Sequence, residues 1–308
     1  MMSIHQTTLM TAIVLSLVCA SSDAAEQTCA NQIVFDSSRS GDTEVYILDI
    51  VSGAIAQLTG NEFPGTDSRF PDFAPGGGHI VFVSENEEGQ GQLIVIDSKG
   101  NGWQQLTDDE AVYENPVWSP DGEWIAFEKA KHGEWGLYLI RPNGSSLRRI
   151  GPTNVNLFHP SWSPDASQIA VVTGDEEAWM IGVLDLHDGI VRRFTESGAG
   201  VGSVKWSADG SKLVFDSGFQ NNRDLYVLDF RTLAVDRLTE GPAVDARPEW
   251  SPDMTRLVFH STRDRGGSVS GDERWEEFEL YILDLESRNV RRITDNDWFD
   301  AHPDWCVP

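Results

Sequence analysis

Two histidines, an arginine, an asparagine and two aspartates stand at matching points of a repeated segment, where they could together bind a ligand. The segment reads "NPVWSPDGEWIAF" at 115–127, and similar text returns at 159–171, 202–215 and 247–259. The candidate residues are Asn115, His159, Asp245, Arg247, Asp300 and His302. Imidazoles can transfer protons or ligate metals, and an arginine can bind a carboxylate through two parallel hydrogen bonds. These groups are far apart in the chain, so a shared site depends on the fold.

The repeat recurs six times, and its period indicates the architecture. Each aromatic residue is followed by a strand-like segment that ends near Asp, such as "LYVLD" at 225–229, and then by a pair such as Leu106-Thr107. Internal periods of roughly 20–50 residues are the signature of solenoids and propellers. The aromatic positions are Phe73, Trp118, Trp162, Trp206, Trp250 and Trp305, with steps of 45, 44, 44, 44 and 55 residues.

Each copy predicts four short strands. The first is Pro-x-Trp-Ser, which Pro116 can begin because the first residue of a strand tolerates a missing N–H. Residues 119–122, Ser-Pro-Asp-Gly, have the residue types of a type I turn, and a run of apolar residues at 125–127 forms the second strand. Ala166 and Met254 stand where the turn has Gly122, and a left-handed conformation there would cost about 1–2 kcal/mol.

Four-stranded units repeated around an axis form a β-propeller, so we predict an all-β, six-bladed propeller with four antiparallel strands per blade. The first copy begins at its second strand, "NQIVF" at 31–35, and the chain ends with a lone first strand, "HPDWCVP" at 302–308. We expect the C-terminal strand to join the first blade and close the ring, which removes free sheet edges. The repeated aromatics are predicted to pack between neighbouring blades.

The pattern P-x-W-S-P-D-G-x-x-I-A-F, followed by Y-x-x-D and L-T, resembles the repeat of TolB-like (WD40-like) β-propeller proteins over about residues 31–306. The resemblance implies a periplasmic propeller that binds protein partners of the cell envelope. TolB carries an α/β domain before its propeller, whereas residues 25–30 alone precede the first blade strand here, so we do not expect a role in the Tol-Pal system itself. Prolyl-oligopeptidase-like peptidases and oligogalacturonate lyases have similar blades.

The candidate residues are expected at the mouth of the axial channel. In a propeller, the connection before the first strand and the one between the second and third strands open on the same face. Phe70, Asn115, His159, Gly202, Arg247 and His302 come just before the first strand, with Asp245 and Asp300 two positions earlier in their copies. The long connection at 261–280 lies on that face, and Arg263, Arg265 and Trp275 are recognition residue types.

We predict a protein- or glycan-binding module at this face, with no catalytic residue, metal or cofactor. No G-x-S-x-G motif accompanies the blades, unlike in the peptidases. The alternative is a metal-dependent polysaccharide lyase or hydrolase that uses His159 and His302, since the lyases hold a metal largely through histidines. A metal needs at least three good ligands, and the third imidazole, His260, is expected at a blade interface instead.

Composition narrows the partners and the compartment. Asp and Glu total 49 against 23 Lys and Arg, a net charge of -26, which argues against nucleic acids and anionic membrane surfaces. The apolar run at 9–20 is too short to span a bilayer, and small residues follow it, as in a secretory leader. We predict a leader at 1–24, with cleavage after Ala20 as the alternative, and a single propeller domain at 25–308.

The leader predicts a periplasmic or secreted protein that does not stay inserted in the membrane after cleavage, and we expect a monomer. Its removal leaves two cysteines, Cys29 and Cys306, at the two ends of the mature chain. In the third copy the equivalent positions are Asp121 and Ser119, which flank one turn, so the two cysteines should meet where the chain ends replace that turn. Exported proteins fold in oxidising compartments, and we therefore predict a disulfide between them.

Overall fold

The computed structural model describes residues 29–174, 179–195, 200–219, 222–264 and 278–308. In these residues the regular elements are antiparallel β-strands, numbered β1 to β24 in chain order and grouped into six four-stranded sheets. Each sheet is one blade of a ring, which confirms the predicted propeller. The described residues include no helix with the length and apolar character needed to cross a membrane.

The strands of each blade are given from the axis outward. Blade one contains β24 (Asp300–Trp305), β1 (Gln32–Ser37), β2 (Glu44–Asp49) and β3 (Ile55–Gln57). Blade two contains β4 (Asp67–Phe73), β5 (His79–Glu85), β6 (Gly91–Asp97) and β7 (Gln104–Gln105). Blade three contains β8 (Val112–Trp118), β9 (Ile125–Lys131), β10 (Glu134–Ile140) and β11 (Arg148–Ile150).

The second half of the ring has the same order. Blade four contains β12 (Asn156–Trp162), β13 (Gln168–Gly174), β14 (Met180–Asp185) and β15 (Val191–Arg193). Blade five contains β16 (Val201–Trp206), β17 (Lys212–Phe219), β18 (Asn222–Asp229) and β19 (Val235–Arg237). Blade six contains β20 (Asp245–Trp250), β21 (Arg256–Ser261), β22 (Glu279–Asp284) and β23 (Val290–Arg292).

The turn between the first and second strands keeps one shape around the ring. The Gly122 amide donates to Ser119 O at 2.9 Å, and Gly122 has a φ of 69°. Ala166 and Met254 take the same position with φ of 56° each, and their amides make the equivalent bond. Two copies therefore hold a side chain in a left-handed conformation because the turn is imposed by the strands on both sides of it.

The innermost strands begin earlier than the sequence predicts. β8 starts at Val112, so Pro116 lies inside the strand, and the pairing with β9 shifts register between Glu114 and Val117. The shift is a β-bulge, and the strand borders the channel rather than another strand on its inner side. A proline is tolerated there because no ladder partner needs its missing N–H.

The repeated aromatics fill the interfaces between blades. Six clusters of buried apolar residues lie among the described residues, one at each interface. Trp162, Trp206, Trp250 and Trp305 are buried in four of these clusters, and Trp118 is half-buried against a fifth. Burial of this apolar area is the main term that holds the blades together.

The two chain ends close the ring as predicted. β24 pairs antiparallel with β1, with Ile33 opposite Trp305. Cys29 and Cys306 form a disulfide with a Cα–Cα distance of 5.5 Å. Gly77 of blade two (φ 67°) packs on this bond, and a Cβ there would clash with both sulfur atoms. The turn at 74–77 reads Ala-Pro-Gly-Gly, with Gly76 where the equivalent turns of blades three to six have Asp.

Candidate functional site

Five of the predicted mouth residues share a backbone conformation that is rare for side chains other than glycine. Their φ values lie between 46° and 54°, in the left-handed region. Each lies in the bulge of an innermost strand, and such a conformation costs about 1 kcal/mol or more. The strain therefore recurs around a single axis, next to the channel. The five residues are Phe70, Asn115, His159, Arg247 and His302.

The side chains of these residues close the mouth of the channel. Arg247 reaches from blade six across the axis, and its Nη1 donates to Asn115 Oδ1 of blade three at 2.6 Å. The Arg247 guanidinium carbon lies 6.0 Å from the centre of the Phe70 ring, and the ring centres of Phe70 and His302 are 4.6 Å apart. Together with His159 they border a cavity of about 60 Å³. The structure thus brings four of the six predicted site residues together.

Carboxylates on the second strands hold the mouth residues in place. Glu128 Oε1 accepts hydrogen bonds from Asn115 Nδ2 and from the His159 amide, both at 2.7 Å. In the same manner Asp36 lies 2.9 Å from His302 Nδ1. Each carboxylate supports the mouth residue of its own blade, and Glu128 also ties blade three to blade four. Sequence reasoning missed these positions, although acids in otherwise apolar second strands are a visible signal.

Burial sets the charge states at the mouth. Burial, together with the nearby Glu114, raises the pKa of Glu128 to about 8. Burial lowers the pKa values of His159 and His260 well below the usual range of histidine. It also lowers the pKa of His302, although Asp36 opposes this shift. Near neutral pH the mouth therefore presents neutral imidazoles, and Arg247 carries its positive charge.

The two predicted aspartates do not border the cavity. Asp245 is buried, and its Oδ2 accepts from Arg263 Nη2 at 2.7 Å. Asp300 is buried in the same way against Arg39, at 2.7 Å. Both ion pairs fasten the connection after the second strand to the innermost strand. Arg263 is therefore held by Asp245.

Two further residues of the prediction, Arg265 and Trp275, lie outside the described residues.

The donor set at the mouth does not fit a metal centre. The described residues include no group of three or more His, Cys, Asp or Glu side chains arranged to hold a metal ion. His302 Nδ1 is engaged by Asp36, and His260 Nδ1 faces the His302 amide at 3.4 Å. His159 Nδ1 lies 3.9 Å from Glu128 Oε1. The described residues therefore provide no set of three ligands of the kind that a catalytic metal needs.

A second ring of residues lies deeper in the channel, and the sequence reasoning did not identify it. These residues come directly before the aromatic of the repeated motif, and three of the four ionisable ones are acidic. Successive residues of a strand point to opposite sides. Because the aromatic points to a neighbouring blade, the residue before it points to the axis. Charged residues at this position of an otherwise apolar packing motif are the signal that could have identified the ring. The ring consists of Asp72, Val117, Ser161, Lys205, Glu249 and Asp304.

Lys205 is the cation of this axial ring. Its Nζ lies 2.7 Å from Glu249 Oε2 and 3.9 Å from Asp72 Oδ1. Burial opposes its charge, but these carboxylates raise the pKa of Lys205 above its usual range. Asp72 Oδ2 also accepts from the Trp118 amide of the next blade at 2.8 Å. The ring therefore both crosslinks blades and gathers charge on the axis.

The fold and the closure define a class, namely six-bladed β-propellers in which the C-terminal strand completes the first blade. The family model of the TolB beta propeller domain matches residues 30–200 and 156–270. The chain therefore belongs to the TolB β-propeller domain family.

Individual relatives support the fold more than any one activity. TolB from Acinetobacter baumannii superposes with a TM-score of 0.73 at 18% identity, over 91% of this chain and 67% of that one. An oligogalacturonate lyase in complex with manganese gives a TM-score of 0.54 at 16% identity, over 84% and 87%. "Uncharacterized peptidase YuxL" of Bacillus subtilis (strain 168) is 31% identical over 83 residues, 27% of this chain. That match spans only 12% of the peptidase.

Proposed function

We propose that the chain is a non-enzymatic binding module that engages a protein or a glycan at its channel mouth. The observation that carries this proposal is the contrast between repeated and variable positions. The packing aromatic and the Leu-Thr pair recur with little change, whereas the strained mouth position differs between most blades. A position that served packing alone would be expected to repeat its residue type. Different side chains held on strained backbone around one axis fit a site for ligand recognition.

The chemistry of the mouth suits a neutral ligand rich in hydrogen-bond acceptors. Arg247 and Asn115 supply donors, and Phe70 supplies an aromatic face next to the His302 ring. Peptide carbonyls and sugar hydroxyls are complementary to such a surface. A partner that binds here would replace the hydrogen bond between Arg247 and Asn115 with its own contacts. The strongly acidic chain does not favour nucleic acid.

We place this module outside the cytoplasm, in the periplasm or medium, as a monomer. The Cys29–Cys306 disulfide supports an oxidising compartment, and the apolar run at 9–20 supports a cleaved leader. Intact mass of the protein exported by its native host should show the loss of residues 1–24, or of 1–20. A retained leader would contradict this part of the proposal.

The test of the binding function starts from the exported protein. The immobilised full chain is used to isolate protein ligands from the exported fraction, and the labelled full chain is used to screen a glycan array. Each ligand found is then obtained pure and titrated by calorimetry. Arg247→Ala should raise Kd about tenfold or more, because a central arginine contact is lost. Glu286→Gln, an exposed charge change on the opposite face, is the matched control.

A ligand whose Kd is unchanged by Arg247→Ala would refute binding at the mouth. Trimming residues 264–275 should weaken the same ligand if the long connection also contributes. Retained affinity after trimming would remove Arg265 and Trp275 from the proposed site but leave the mouth in it.

A further inference from the structure

A second cavity opens on the opposite face of the ring, where the Ser-Pro-Asp-Gly turns lie. We call it the turn-face basin. Its volume is about 350 Å³, against about 60 Å³ for the cavity at the mouth. Its wall is lined by Trp118, Trp162, Trp206 and Trp250 and by prolines of the adjoining turns. Such a space accepts a small organic molecule or one extended side chain of a partner.

The floor of the turn-face basin carries more negative than positive charge. It is formed by Asp72, Lys205, Glu249 and Asp304 of the axial ring. Lys205 forms its close ion pair with Glu249 and lies farther from Asp72. Asp304 has no ion-pair partner within the described part of the chain. Three carboxylates thus share one ammonium group.

Buried carboxylates without enough counter-charge need a proton or a second cation. Burial raises the pKa of Asp72 to about 7, with Glu249 adding to the shift. Burial and the neighbouring Asp72 also raise the pKa of Asp304 well above its usual range. A cation bound beside these groups would reverse both shifts and recover the energy that desolvation costs. Lys205 shows that the floor can hold an ammonium group at hydrogen-bond distance.

We propose that the turn-face basin binds a primary alkylammonium group. The ammonium head lies between Asp72 and Asp304, beside Lys205, and the alkyl chain runs along the indole and proline wall. Aromatic faces attract cations, and apolar stems of amines bury well against such surfaces. A bare divalent metal fits less well, because the tryptophans and prolines of the wall add no oxygen ligands to the carboxylates of the floor. A free diamine and a lysine side chain of a partner share this chemistry.

Calorimetric titration of the full chain at about pH 8 tests the site. 1,5-Diaminopentane should bind and raise Tm, and 1,5-pentanediol, which has the same length without charge, should do neither. A short peptide with a lysine is compared with the same peptide carrying norleucine. Binding of the diamine alone supports a free amine as the natural guest, and binding of the lysine peptide supports a partner side chain.

Variants of the floor decide whether the amine binds there. Asp304→Asn retains an acceptor for the Phe73 amide but removes one charge, and it should weaken amine binding about tenfold. Glu286→Gln removes one exposed charge from the same face and should leave Kd unchanged. Lys205→Met removes the competing ammonium and should tighten binding. Lys205→Met and Asp304→Asn should change the affinity in opposite directions, so general damage to the fold cannot explain both results.

Several results would overturn the proposal. They are equal binding of diol and diamine, amine binding that survives Asp304→Asn, and weaker binding in Lys205→Met. Failure of both amine probes to bind would do so as well. Ligands of the mouth are judged separately by Arg247→Ala, because Asp72, Lys205 and Asp304 also border the mouth cavity.

Discussion

Glu128 illustrates how a single buried side chain organises the mouth. It is 1% exposed, it accepts from Asn115 and from the His159 amide, and burial raises its pKa to about 8. Glu114 adds to this shift, and Arg247 partly offsets it. The folded protein therefore holds a proton on Glu128 at a pH where the unfolded chain has released it.

This difference predicts a fall in stability as the pH rises from about 6.5 to 8.5. A carboxyl group whose pKa is higher in the folded state contributes its full stability below the unfolded pKa. That contribution is lost as the pH rises through the folded pKa, here by about 1–2 kcal/mol. Asp72, with a pKa of about 7, acts in the same direction. Glu128→Gln mimics the protonated form and should flatten the dependence, which urea unfolding at several pH values measures.

The buried, neutral histidines limit the pH range over which stability falls with rising pH. The lowered pKa of His159, His260 and His302 opposes this slope below about pH 6, because the unfolded chain then binds additional protons. Stability that rises between about pH 6.5 and 8.5 in the parent protein would contradict the buried, protonated Glu128.

Residue positions at the site could be predicted where one offset from the repeated motif holds in each copy. The sequence placed Asn115, His159, Arg247 and His302 at the mouth, because one offset from the motif holds in each copy. It misplaced Asp245, because residues two apart share a face only in a regular strand. The bulge between Ala246 and Glu249 breaks that alternation, and the acid turns to Arg263 instead.

Among the elements, the turns and the outer strands follow directly from the repeat. The Leu-Thr pair ends the fourth strand, and Thr107 Oγ1 accepts from the Leu93 amide at 3.0 Å, as Thr239 does from Leu225. The recurring Asp after the third strand caps a turn, as Asp49 does for the Ser52 amide at 2.7 Å. These local devices explain why motif spacing was sufficient to predict blade number and order.

The turn after the first strand offers a matched pair of substitutions. No atom lies within 4 Å of the place that a Cβ on Gly122 would take, so Gly122→Ala should cost only backbone energy, about 1 kcal/mol. Ala166→Gly relieves the same strain at the same turn position and should stabilise by up to about 1 kcal/mol. Urea unfolding of both variants measures the effect, and equal signs would show that the turn differs between blades.

The whole ring depends on its closure. The C-terminal strand β24 supplies the innermost strand of blade one and brings the fully buried Trp305. The disulfide links residues 277 apart, and the loop-entropy model assigns such a bond up to about 5 kcal/mol. Both features act on the same seam between the chain ends.

Deletion of residues 303–308 should therefore lower Tm of the entire protein in one transition, because blade one loses part of its inner strand. Cys306→Ser should lower Tm by less, since β24 remains paired with β1. Differential scanning calorimetry separates the two effects. An unchanged Tm after the deletion would show that the seam does not limit stability.

The same seam has a consequence for how the protein is made. β1 emerges first during synthesis, yet its inner neighbour β24 is the last strand to be produced. Blades two to six can assemble in chain order, while blade one waits with an open edge until the C-terminus arrives. Contacts of such long sequence separation form slowly. A chain that stops short of its last strand therefore exposes an unpaired edge strand, which makes the incomplete product easy for a protease to recognise and remove.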